Sequence, residues 1–326
     1  MLLLLACAHT PAPEVAPAAM PVLPAPRAEV YTRVPARPGD PLVAMQMGDR
    51  PWDEALAGAA TAVALAQIAG RPMDACEARW KAILAGYPHE VTSWRWQTVP
   101  RGEVGQEVVE AALDAPQGAD VGVVRARGAD DRWVLLVGQP KGQLPPVPRE
   151  LQVGDGLALG AGARAADPDG KVHAGADTLV LDLEGEWLVQ AGGTVFPVYA
   201  GEATPDAPPV PCSARAGTPD VRLQGALDAV RDHYGYTRLQ RDELLDSVAR
   251  AVARSGGDGQ AALRTAGFID VPVAAGACEA ESVERCLSEL WWGVDTHALL
   301  VGDVAEYGVA WEPSSRGVRL VMVAAG

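Results

Sequence analysis

Apolar positions recur at i, i+3, i+4 and i+7 in two stretches of the chain, residues 53–64 (DEALAGAATAVA) and 242–253 (DELLDSVARAVA). That spacing is the stripe of an amphipathic helix facing a core, and the alanines on it imply close packing. Both stretches follow one pattern, D-E-x-L-x-x-x-A-x-A-V-A. A second helical stretch follows each and ends in a glycine with an aromatic beside it, residues 83–91 (ILAGYPHEV) and 264–271 (RTAGFIDV), where the glycine serves as a C-cap. A third helix is predicted over 105–114 and over 280–292. Each half then closes on a Gly-Val strand, a polar turn and an apolar run, residues 121–138 and 307–324, which reads as a β-hairpin. Four matched segments in the same order make two copies of one α/β unit.

Between the copies the pattern changes. Residues 151–201 carry short apolar or alternating runs separated by turn signals such as Asp167-Pro168-Asp169-Gly170, the spacing of a small all-β, sandwich-like module. Pro-rich stretches flank it, GQLPPVPREL (142–151) and EATPDAPPVPC (202–212). Before the first copy, a Pro/Ala tract that cannot bury a core reads as an extended tether. The predicted organisation is a leader over 1–7, a tether over 8–41, a first unit over 42–140, the β module over 148–202 and a second unit over 212–326. The fold class is α+β, two α-β-α sandwich units flanking the module.

Composition narrows the partners. The chain has 326 residues, 27 Lys and Arg against 42 Asp and Glu, and a formal charge of −15, with no basic cluster to hold phosphates, so nucleic acid is not an expected partner. The N-terminal run ends Leu4-Leu5-Ala6-Cys7 and looks like a bacterial lipobox, in which Cys7 is lipidated. Its apolar run is short and lacks a basic flank, so Met1 is expected to lie downstream of the true start. No other stretch offers the roughly 20 apolar residues that span a bilayer, and the membrane is expected to be reached through the anchor alone. With Cys7 lipidated, Cys76, Cys212, Cys278 and Cys286 remain in an oxidising space and allow three pairings. A Cys278 to Cys286 bridge from a loop to the first turns of a helix is the reading preferred, with Cys76 and Cys212 as the second pair.

Over about residues 223–323 the second unit resembles the CAP superfamily, the cysteine-rich secretory and plant pathogenesis-related proteins, in its bacterial secreted form. The resemblance rests on Ala229-Val230-Arg231…Gly235, Leu239, Leu245…Ala249, Ala266-Gly267-Phe268, Ser282-Val283, Trp291 with His297 six residues later, Leu299-Leu300 and Glu306-Tyr307-Gly308-Val309. The first unit would be a more diverged copy. The resemblance implies an α-β-α sandwich with a cavity of two histidines and two carboxylates able to hold a metal ion. His297 takes the second histidine position; Val252 stands where the first is expected, and Ala275 where a glutamate is expected.

One imidazole does not hold a catalytic divalent ion, which takes about three protein ligands, so no cofactor is expected. The residues placed around the cavity are His297, Trp291, Glu289 and Asp295. Two readings compete: a lipid-anchored envelope protein acting as a non-catalytic scaffold for an envelope protein, a glycan or a small hydrophobic ligand, and a metal-dependent hydrolase using His297 with Glu289 or Asp295 in a reorganised pocket. The stretch TSWRWQ (92–97) resembles a stacking surface for sugars or bases but suits a half-buried strand better. RSGGDGQ (254–260) lacks the preceding strand and following lysine of a phosphate loop and reads as a link between helices. His89, His173 and His233 are expected on the surface or on a helix face.

Overall fold

A computed structural model describes residues 29–71, 73–174, 178–210, 212, 216–315 and 317–326; Cys7 and His9 lie outside them. The first part of the chain runs β1 (Val30–Tyr31), β2 (Pro35–Ala36), α1 (Pro41–Met47), β3 (Trp52–Asp53), α2 (Glu54–Ile68), α3 (Ala75–Leu84), β4 (Glu90–Pro100), α4 (Gln106–Leu113), β5 (Asp120–Ala126) and β6 (Asp130–Gln139). The middle is all β: β7 (Val147–Pro148), β8 (Glu150–Leu151), β9 (Gly156–Ala158), β10 (Arg164–Ala166), β11 (Val172–Ala174), β12 (Thr178–Val180), β13 (Gly185–Ala191) and β14 (Thr194–Ala200). The last part runs α5 (Pro219–Tyr234), β15 (Gln240–Arg241), α6 (Glu243–Ser255), α7 (Gly259–Thr265), β16 (Val273–Ala280), α8 (Val283–Trp291), a 3-10 turn (His297–Leu299), β17 (Glu306–Ser314) and β18 (Gly317–Ala325). The class is mixed α+β.

The first and last parts share one sheet topology. In the first the strand order is β2-β3-β5-β6-β4, and in the last β15-β17-β18-β16. In both, a two-residue strand pairs in parallel with the first strand of the hairpin, and the hairpin's second strand pairs antiparallel with the long strand from between the helices. The shared D-E-x-L pattern has a local cause. Asp53 and Asp242 are N-caps whose carboxylates accept the amides of Leu56 and Leu245 at 3.0 and 2.8 Å, satisfying donors that the first helical turn leaves open.

Alternation along the hairpins sends side chains to two faces. Val121, Val123, Trp133, Leu135 and Val137 pack with α1 and α4, while Val134 and Leu136 pack with α2 and α3. In the last part, Val309, Leu320, Met322 and Ala324 share a core with α5 and α8, and Ala310, Val321, Val323 and Ala325 pack with α6 and α7. Helices therefore cover both faces of each sheet. The middle region forms a five-stranded sheet, β11-β10-β13-β14-β8, and a two-stranded pair, β12-β9, joined in one core with α5, α8 and Trp80 of α3.

Part of the stretch expected as a tether is folded. Tyr31 is fully buried and donates its hydroxyl to the Pro197 carbonyl at 2.7 Å, β1 pairs with β7, and β2 pairs with β3. Among the described residues the free tether therefore does not extend to residue 41. Two disulfides, Cys76–Cys212 and Cys278–Cys286, are formed with Cα separations of 5.3 and 5.4 Å. The second joins strand β16, where a loop was expected, to the first turns of α8. Among the described residues no helix is long and apolar enough to cross a membrane.

Candidate functional site

Helix α8 delivers Trp291 into the core, 2% exposed. The chain then turns through Gly293, whose carbonyl accepts the His297 amide at 2.8 Å, and Thr296 ties the turn to the helix end by donating its hydroxyl to the Leu290 carbonyl at 2.5 Å. This places His297 under the tryptophan, the rings 5.9 Å apart and edge-on. Nδ1 of His297 lies 3.2 Å from the Trp291 carbonyl oxygen. A carbonyl only accepts, so Nδ1 carries the proton. Nε2 is buried with no partner among the described residues. Burial pushes the imidazole down to about 4, with the Trp291 carbonyl and the charge of Asp167 opposing.

The β module packs against the loop that carries it. Its turn at 167–170 seats against the loop carrying His297: Gly170, in the left-handed region at φ +80°, leaves no room for a Cβ against Ala298, and Tyr236 donates its hydroxyl to the Pro168 carbonyl at 2.6 Å. Arg164 on β10 forms a two-pronged pair with Asp295, one arm at 2.8 Å. Ala166 and Leu188 pack on Val294 and Trp292.

The four residues placed around one cavity do not line one. His297 and Trp291 are together in the core. Asp295 faces a cleft of about 310 Å³ that also holds Val252, Gly259, Ala275, Ala277 and Val321. Glu289 lines a separate groove of about 860 Å³ beside Cys76, Cys212 and Trp94, with Arg285 at 3.7 Å one turn away. The cleft brings Val252 of α6 and Ala275 of β16 to one place. Gly259, at the start of α7, closes over the Ala275 methyl with no room for a Cβ of its own. The side chains there are apolar apart from Asp258, Gln260 and the Arg164-bound Asp295.

A buried polar chain that the sequence reading missed runs from the module to the Trp291 indole. Glu186 on β13 accepts the Tyr199 hydroxyl at 2.7 Å; the Tyr234 hydroxyl of α5 also faces it and accepts the Trp291 indole N–H at 3.1 Å. Burial pushes the Glu186 carboxyl up to about 7, against the opposing hydrogen bonds from the two tyrosines. Trp80 of α3 meets Trp291 edge-on at 6.0 Å. The one available signal was a carboxylate set inside the apolar run GEWLVQA. His89 departs from expectation, being 3% exposed, whereas His173 keeps a part-exposed side chain whose Nε2 lies 2.7 Å from a carboxylate oxygen of the buried Asp167.

Among the described residues the one group of three or more potential metal donors in close reach is Asp74, Cys76 and Cys212, and its two sulfurs are joined in a disulfide. No protein-family model, curated protein or solved structure matches the chain.

Proposed function

We propose that this chain is a lipid-anchored bacterial envelope protein in which tandem CAP-like units and the β module form a non-catalytic binding scaffold. The observation that carries the reading is the cleft of Val252 and Ala275. Their convergence on one cleft supports the resemblance, and their side chains supply neither a proton carrier nor a metal ligand. The matched sheet topologies support a duplicated unit, and two disulfides suit an oxidising compartment. The scaffold's partner would be an envelope protein, a glycan or a small hydrophobic ligand. The hydrolase reading lacks a comparable support, because Glu289, Asp295 and His297 face three different surroundings.

Anchoring is tested by fractionating cells that express the full precursor with Cys7→Ser. Release of the variant into the soluble envelope fraction supports the proposal, and full membrane retention contradicts it.

A further inference from the structure

The groove of about 860 Å³ carries a feature that the scaffold reading does not use. Its wall includes Asp74, Cys76 and Cys212, and one carboxylate oxygen and the two sulfurs lie within 4.8 Å of one another. Each of the three residues is half-buried, so the group is open to the groove. Cys76 is the second residue of the ten-residue helix α3, whose N-cap is Asp74. There the open amide groups of the first turn favour a thiolate over a thiol. One Asp74 oxygen accepts the Glu77 amide at 2.9 Å, leaving the other for a ligand. Ser288 Oγ stands 4.0 Å from the Cys76 sulfur.

We propose that the Cys76–Cys212 bridge is a reducible clasp, and that opening it creates a zinc site of two thiolates and the Asp74 carboxylate, with the fourth position open to water from the groove. The reductant is a dithiol: its two sulfurs are oxidised to a disulfide while Cys76 and Cys212 are reduced to thiols. Zinc then displaces both thiol protons to solvent. The geometry needs little change. Two sulfurs at about 2.3 Å from a tetrahedral zinc stand roughly 3.8 Å apart, so they need only separate from bonding distance while their Cα atoms, now 5.3 Å apart, stay near where they are. Bridge and metal site would each fasten the segment before the second unit to α3 of the first.

The test is cobalt(II) titration of the protein reduced with a phosphine, followed by absorption, with zinc displacement and near-ultraviolet circular dichroism on the same samples. The expected result is one equivalent of cobalt with a sulfur-to-metal charge-transfer band and tetrahedral visible bands, absent from the oxidised protein and displaced by zinc. Cys76→Ser with Cys212→Ser abolishes the band, Asp74→Asn weakens binding by about tenfold or more, and Cys278→Ser with Cys286→Ser leaves the band in place. No band in reduced protein that keeps its tertiary signal would overturn the proposal. So would a band that survives loss of both Cys76 and Cys212, or loss of the tertiary signal on reduction, since the clasp must open without unfolding the chain.

Discussion

A Cβ placed on Gly308 would overlap the carbonyl carbon of Leu245, and one on Gly122 would overlap that of Leu56. Leu56 and Leu245 hold the same place in the two D-E-x-L helices, and Gly122 and Gly308 the same place in the two hairpins. In each unit the first strand of the hairpin runs directly beneath the start of the helix, closer than any side chain permits. The overlapping atoms are backbone and cannot rotate away. Gly308→Ala should therefore destabilise the chain by about 3 kcal/mol or more, as should Gly122→Ala. Thermal or urea unfolding of the two variants checks this; stability within error of the unsubstituted protein would refute the close approach.

A second prediction concerns the floor of the cleft. Gly259→Ala brings two methyl groups together at Ala275 and should cost about 1–3 kcal/mol. Adding Ala275→Gly removes the second methyl and should recover the loss, less roughly 0.5–1 kcal/mol for a glycine within a strand. A urea-unfolding double-mutant cycle reads the coupling directly; no coupling would mean that α7 does not close over this position.

The third prediction is a pH dependence in which two buried groups oppose each other. Glu186 is raised from 4.5 to about 7, so its contribution is fully present below pH 4.5 and is lost as pH rises through 7. His297 is lowered from 6.5 to about 4, so its contribution is fully present above pH 6.5 and is lost as pH falls through 4. Each amounts to about 3 kcal/mol, and between pH 4.5 and 6.5 they cancel. Single substitutions unmask them. The stability of Glu186→Gln relative to the unsubstituted protein should rise from pH 4.5 to 7 and then level, and that of His297→Gln should rise as pH falls from 6.5 to 4. Urea unfolding across this range measures both differences. Two curves that run parallel to the unsubstituted protein would show that neither group is held out of water.

The helices and hairpins were legible because their signals are local: an aspartate before an apolar stripe, a glycine after it, a polar turn between apolar runs. The strand at TSWRWQ was legible for the same reason and forms the middle of β4, although Trp96 is 48% exposed rather than turned into the core. What was not legible depends on parts of the chain far apart in sequence. Nothing near Tyr31 announces that its hydroxyl will reach Pro197, so β1 and β2 read as tether. His297 looked like a cavity residue because the turn at 167–170, which packs on the neighbouring Ala298, belongs to another region. Glu186 and Tyr199 sit on paired strands and Tyr234 on a helix, so their meeting is a fact of packing alone. That Val252 and Ala275 share one cleft was not legible, since apolar residues carry no chemical signal of their own.

On the proposed scaffold reading, neither the cleft nor the buried His297 holds a metal ion in the oxidised protein. Calorimetric titration of zinc into the tag-free, fully oxidised protein, with His297→Ala titrated alongside, decides this. No binding that depends on His297 is expected. Micromolar zinc binding by the unsubstituted protein that disappears in His297→Ala would contradict it and show that the imidazole is a working ligand.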